Sequence, residues 1–178
     1  MRPGDANETS FAWKVALERR DGPVALSRSR EKVPTLDRSD LAPASGVEQG
    51  AYVLWDSADF PDLILIGTGA QLGLALEAGR KLAADGTAVR VVSMPCWELF
   101  EEQPADYRDE VLPPEVKARL SVEAGVALGW ERWVGDYGDS LALDRFGASA
   151  PGQTVLEELG YNVDNVVMRA SALLERVS

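Results

Sequence analysis

The sequence predicts an α/β fold: a mostly parallel sheet with helices on both of its faces. Three observations carry that prediction. From about Gly50 onward, short apolar runs alternate with amphipathic helical patterns, the order expected of βαβ units. One run, residues 63–66 (LILI), has no polar alternation, as a strand covered on both faces requires. A Gly67-Thr68-Gly69 turn and a helical stripe follow it directly, the strand-turn-helix with which many nucleotide-binding α/β proteins begin.

The elements follow in order. Asp5 and Glu8 read as a helix N-cap with its capping-box partner. The helix they open carries Phe11, Ala12, Val15 and Ala16 at helical spacing, and Gly22-Pro23 stops it. Residues 24–30 (VALSRSR) read as a short strand with a polar end. Residues 31–50 hold Pro34, Pro43 and Gly46 among many polar side chains, the composition of a linker between two units. Residues 51–57 (AYVLWDS) predict a strand at a sheet edge. After residues 63–66, Leu72, Ala75, Leu76, Gly79 and Ala83 form one helical stripe, ended by Asp85-Gly86. Residues 88–94 are the next strand, and two short acidic helices follow around 96–102 and 105–111. Residues 119–125 and 140–147 read as further strands. A last helix from about Val163 aligns Val163, Val166, Val167, Ala170, Leu174 and Val177 on one face.

Bulk properties exclude several function classes. The 178 residues suffice for one domain of ordinary size with a real core. A formal net charge of −11 disfavours nucleic acid and an anionic membrane surface as partners. No apolar run approaches the roughly 20 residues of a membrane span. Residues 1–10 lack the apolar segment of a signal peptide. A single cysteine makes no internal disulfide, so a cytoplasmic location is expected. With no histidine, the chain holds no Ser-His-Asp or Cys-His apparatus and lacks the commonest zinc ligand. Carboxylate, lysine and tyrosine chemistry stay open.

Each chemical candidate has a structural counterpart. Gly67-x-Gly69 is half a dinucleotide fingerprint, because the third glycine of G-x-G-x-x-G falls at Leu72. A tight strand-to-helix turn explains the glycines equally, although a helix N-terminus there attracts anions. Arg28, Arg30 and Lys32 form a small basic group in an acidic chain. Arginine suits bidentate recognition of phosphate, and a solvated strand end is the alternative. Cys96 has no histidine to act as its base, so packing is its expected role. Trp130 and Trp133 are expected in core or interface packing. Glu98, Glu101 and Glu102 are expected on a solvated face rather than around a hard cation.

Several long motifs resemble one family. Residues 91–103 (VVSMPCWELFEEQ), 63–79 (LILIGTGAQLGLALEAG) and 146–167 (FGASAPGQTVLEELGYNVDNVV) resemble, in order, segments of the C-terminal domain of transketolases. Residues 2–9 (RPGDANET) and 22–34 (GPVALSRSREKVP) resemble the end of that family's pyrimidine-binding domain. Deoxyxylulose-phosphate synthase and the pyruvate dehydrogenase β chain share the domain order, but residues 94–103 fit transketolase better.

The resemblance implies residues 1–34 as the end of the pyrimidine-binding domain, 35–49 as a linker and 50–178 as the C-terminal domain. It implies a three-layer α/β/α sandwich of about five strands, preceded by a helix-strand segment. It places the Gly67–Gly69 turn away from the cofactor. The implied parent enzyme moves a two-carbon ketol unit between sugar phosphates with thiamine diphosphate and Mg. The Gly-Asp-Gly motif that holds those groups in the family is absent here, so none is expected bound to this chain. The expected partners are the rest of the enzyme or a second subunit, in a homodimer. The family's phosphate-binding arginine matches Arg30 in Arg30-Glu31-Lys32-Val33-Pro34, with Arg28 as runner-up. The departure is Glu31, where glutamine is usual and a carboxylate opposes an anion. The segment before Glu31 is expected to leave Phe11, Trp13 and Val15 exposed, mobile or buried against a second copy. The alternative reading is a stand-alone regulatory module that binds a small anion or nucleotide at Gly67–Gly69.

Overall fold

The computed structural model describes residues 1–30 and 32–177. Among the described residues the sheet has five strands: β1 (Tyr52–Asp56), β2 (Leu63–Gly67), β3 (Val89–Ser93), β4 (Ala118–Val122) and β5 (Asp139–Leu141). Their spatial order is β1-β3-β2-β4-β5. β1 lies at an edge, antiparallel to β3, and the other three pairings are parallel. The mostly parallel sheet expected from the sequence is therefore present.

β2 shows why a non-alternating apolar run becomes the central strand. All five of its residues are buried. Leu63 and Leu65 point into one apolar cluster, and Ile64 and Ile66 into the other. The two clusters are the two interfaces of a three-layer sandwich. On the first face lie α2 (Leu72–Ala84) and α7 (Val163–Val177), through Ala75, Leu82, Val166 and Ala170. On the second lie α3 (Trp97–Glu101), α4 (Ala105–Val111) and α5 (Glu131–Val134), through Phe100, Val111 and Trp133. Each fully buried Leu or Ile is worth about 1.5–3 kcal/mol, so a polar residue on either face of β2 would open one layer. Gly79 lets α2 sit close, because a Cβ there would come within 2.7 Å of Val91 Cγ2 on β3.

The amino-terminal segment is part of this body. α1 (Ala6–Glu18) is capped by Asp5, whose side chain accepts from the Glu8 amide. The reciprocal half of the expected capping box is shifted by one residue, since the Glu8 carboxylate accepts from Gly4 N–H at 2.6 Å. Glu8 is fully buried and also accepts from the Tyr52 and Ser93 hydroxyls, each at 2.6 Å. That ties α1 to β1 and β3. Trp13 is half exposed as expected, whereas Phe11 and Val15 are partly covered.

Two sequence expectations are corrected, and residues 35–49 carry local structure of their own. Residues 24–30 do not form a strand of the sheet. They are joined to Met1, whose amino group donates to the Ala25 carbonyl and whose carbonyl accepts from Ser27 N–H. A ladder needs a neighbouring strand, and the chain next to Met1 turns away as Arg2 bonds to Pro95. α1 ends at Glu18, where Arg19 adopts ψ 129°, before Gly22-Pro23 is reached. Within residues 35–49, Ala44–Gln49 forms a 3-10 turn, and Leu41 and Val47 are buried in the first cluster. α5 and α6 (Gly152–Glu158), of four and seven residues, were not expected from the sequence.

Candidate functional site

In an open parallel sheet the ligand crevice lies at the carboxyl ends of the strands, where the strand order reverses. Here that point is at β2, between β3 and β4. The loop leaving β2 is Gly67-Thr68-Gly69. Gly67 is required because a Cβ would come within 2.8 Å of the Leu72 Cα. Gly69 is required because its φ is +56°. The Gly69 amide donates to the Arg2 carbonyl at 3.0 Å, and the Arg2 amide to the Pro95 carbonyl at 2.7 Å. The arm before α1 thus uses the backbone donor that a phosphate loop would offer. This counts against the anion-binding reading of the turn.

Arg2 also closes the crevice with its side chain. Its guanidinium pairs with Glu123 just beyond β4, and Glu123 accepts the Trp130 indole N–H at 2.5 Å. Burial pushes the Arg2 pKa down and that of nearby Tyr161 up to about 12. Tyr161 donates to the Glu123 carbonyl at 2.7 Å.

Arg28 and Arg30 are brought together beside this loop. Both line a cleft of about 360 Å³ whose other walls include Arg2, Gly69–Gln71 and the start of α6. They also border a second cleft, about 520 Å³, running toward Asp5 and Thr9 at the start of α1. Both arginines are exposed, and neither has a carboxylate partner among the described residues. Among the described residues no carboxylate lines the smaller cleft. In a chain with 29 acidic and 18 basic residues, a carboxylate-free cleft with three arginines is a local reversal of charge. Guanidinium groups can hold an anion through bidentate hydrogen bonds; they supply no nucleophile or general base. Glu31, the departure beside Arg30, lies outside the described residues, and Lys32 is exposed. Sequence reasoning missed Arg2, which carries no motif.

The remaining candidates resolve into packing. Trp97 stacks edge-on against Trp130 at 5.0 Å and lies 6.4 Å from Trp133, while Phe100 packs 5.2 Å from Trp133. Cys96 is buried, its thiol donates to Glu98 at 3.3 Å, and burial pushes its pKa up, the reverse of an activated nucleophile. Glu98, Glu101 and Glu102 point to separate partners: Cys96, Arg132 and Arg19. Among the described residues no group of three carboxylate or thiol side chains is placed to hold a metal ion. No helix among them is long and apolar enough to cross a membrane.

Residues 50–162 match the family model described as the transketolase-like TK C-terminal domain. The chain is 53% identical to a transketolase of Geobacillus stearothermophilus over 98% of its own length and 26% of the relative's. It is 47% identical to a Bacillus subtilis transketolase, over 99% of this chain and 26% of that protein. The transketolase structure from Leishmania mexicana superposes with a TM-score of 0.90 at 38% identity, covering 99% of this chain and 25% of that one. The chain thus spans about a quarter of the length of the relatives it matches. A split-gene transketolase, described as an inactive beta4 tetramer, shares the fold with a TM-score of 0.75 at 24% identity, over 97% of this chain and 56% of that one.

Proposed function

Because the chain belongs to the transketolase family, we propose that it serves as the carboxyl-terminal part of an enzyme that transfers a two-carbon ketol unit between sugar phosphates. In this reading residues 50–178 are the C-terminal domain, 35–49 connect it, and 1–34 end the pyrimidine-binding domain. The chain's contribution is a rigid α/β body and a phosphate-binding arginine, Arg30, with Arg28 beside it. The observation that supports the phosphate assignment is a cleft lined by no carboxylate among the described residues, in which neither arginine has an ion-pair partner among them. An exposed guanidinium with no ion pair is available to a phosphate ester, and bidentate geometry fixes the ester's orientation.

In this reading the thiamine diphosphate and divalent metal of the family enzymes are held by the remaining part of the enzyme. No step of the chemistry is assigned to this chain. The working partner is the remaining part of the enzyme, as a continuous chain or a separate subunit, within a homodimer in the cytoplasm.

The test is a chimera in which this chain replaces the matching part of the Geobacillus stearothermophilus enzyme. Ketol transfer by the chimera is expected, with Arg30→Ala raising KM for the sugar phosphate more than it lowers kcat. A KM unchanged by Arg30→Ala would remove the phosphate role. Transfer catalysed by this chain alone would refute the division of labour.

A further inference from the structure

Residues 1 and 2 stitch two parts of the molecule together. On one side Met1 bonds to the segment that carries Arg28 and Arg30, through the Ala25 carbonyl and Ser27 N–H. On the other, the Arg2 backbone bonds to the loops at the carboxyl ends of β2 and β3, through Gly69 and Pro95. The Arg2 side chain adds a further attachment, the ion pair with Glu123 beyond β4. Its guanidinium lies over Gly69, where a Cβ would come within 3.5 Å of Nη2. Arg2 thus stands between the cleft of Arg28 and Arg30 and a neighbouring one, about 290 Å³, that Glu123 lines. Glu123 is itself fixed at three atoms. Its amide donates to the Leu141 carbonyl at 3.1 Å, its carbonyl accepts from Tyr161 and its carboxylate from the Trp130 indole. A carboxylate locked in this way holds its partner in one place, as a freely rotating surface pair does not.

We propose that Glu123 is a positioning residue for the substrate arginine: through Arg2 it fixes where the Arg28–Arg30 segment stands relative to the loop after β2. The inference rests on the reading of Arg30 given above. The segment needs such a tie, because it forms no strand of the sheet and residues 27–30 are exposed. Leu26 rests against the first apolar cluster, which sets the depth of the segment but not its register. A misplacement of about 1 Å in a group that orients substrate can cost up to about a hundredfold in rate. Simple electrostatics predicts the opposite sign. Glu123 is a negative charge one side chain away from an anion cleft, so its removal alone would favour the anion. Weaker binding after its removal is therefore the mark of a positioning role.

The experiment has two readouts on Glu123→Gln, which keeps the side chain's size and an acceptor for Trp130 but removes the charge that holds Arg2. In this chain, amide hydrogen exchange at Ser27 should quicken about tenfold while exchange at Leu65 in β2 stays as in the wild type. In the chimera described above, KM for the ketose phosphate should rise about fivefold with kcat nearly unchanged. KM for the same ketose without its phosphate should not move. Arg2→Lys retains a cation for Glu123 and should stay close to wild type in both readouts. Unchanged exchange at Ser27, or a ketose phosphate KM that is unchanged or lower, would overturn this inference and leave the Arg30 reading intact. An equal loss of activity toward both ketoses would mark a general structural role and overturn it too. A KM indifferent to Arg30→Ala would overturn both readings.

Discussion

Gly69 donates its amide proton to the Arg2 carbonyl at 3.0 Å, and this bond decides what the turn after the central strand does. A β2-to-α2 turn with two glycines has the shape of a phosphate loop. Here its donor is satisfied within the chain, and the arm carrying Arg2 lies across the crevice. The two glycines therefore serve geometry, but for different reasons.

That difference is measurable in stability. At Gly69 a Cβ would meet Arg2 at an ordinary 3.5 Å, so Gly69→Ala is opposed only by the left-handed backbone, at φ +56°. The expected cost is about 1 kcal/mol. At Gly67 the Cβ would lie 2.8 Å from the Leu72 Cα, which belongs to backbone and cannot rotate away. Gly67→Ala should cost about 2–3 kcal/mol by overpacking. Urea unfolding of both variants checks the order, and equal or reversed costs would contradict it.

Glu8 offers a second test. Its carboxylate accepts from Gly4 N–H, the Tyr52 hydroxyl and the Ser93 hydroxyl, all at 2.6 Å and all away from water. Glu8→Ala leaves three buried donors unmatched and should cost about 3 kcal/mol or more. Glu8→Gln retains an acceptor for the two hydroxyls and sets an NH2 against Gly4 N–H, so its cost should fall between wild type and alanine. Denaturation midpoints at constant m report both. A neutral Glu8→Ala would mean that α1 is not held through this carboxylate.

These residues also show how far the sequence could be read. The central strand was legible because burial on both faces leaves a run with no polar residue, as in Leu63 to Ile66. The Asp5 cap was legible because its acceptor acts on an amide three residues away. The long-range partners of Glu8 were not, since nothing local to it encodes Tyr52 or Ser93. Residues 24–30 misled because a β-type composition does not supply a pairing neighbour. Arg30 and Arg28 stood out in the sequence as a small basic group, and the structure places both on one cleft.

Alkaline pH should loosen the fold through its tyrosines. Burial raises the pKa of Tyr107 and of Tyr161 from 10.0 to about 12, and that of Tyr52 further, where the Glu8 carboxylate adds to the effect. Each hydroxyl donates to a fixed acceptor: Ala51 carbonyl, Glu123 carbonyl and Glu8. The neutral phenol is therefore the form that the folded state favours. A group whose pKa is raised by folding contributes stability that is complete below its unfolded value and is lost as pH climbs through the folded value. Stability should thus hold up to about pH 10 and fall between about pH 10 and 12. The urea midpoint measured across that range, together with tyrosinate absorbance, checks this. Absorbance from these three residues should rise only with the loss of fold, and Tyr107→Phe should remove part of the decline. Reversible ionisation of all three near pH 10, with the sheet intact, would show that their hydroxyls are not held as described.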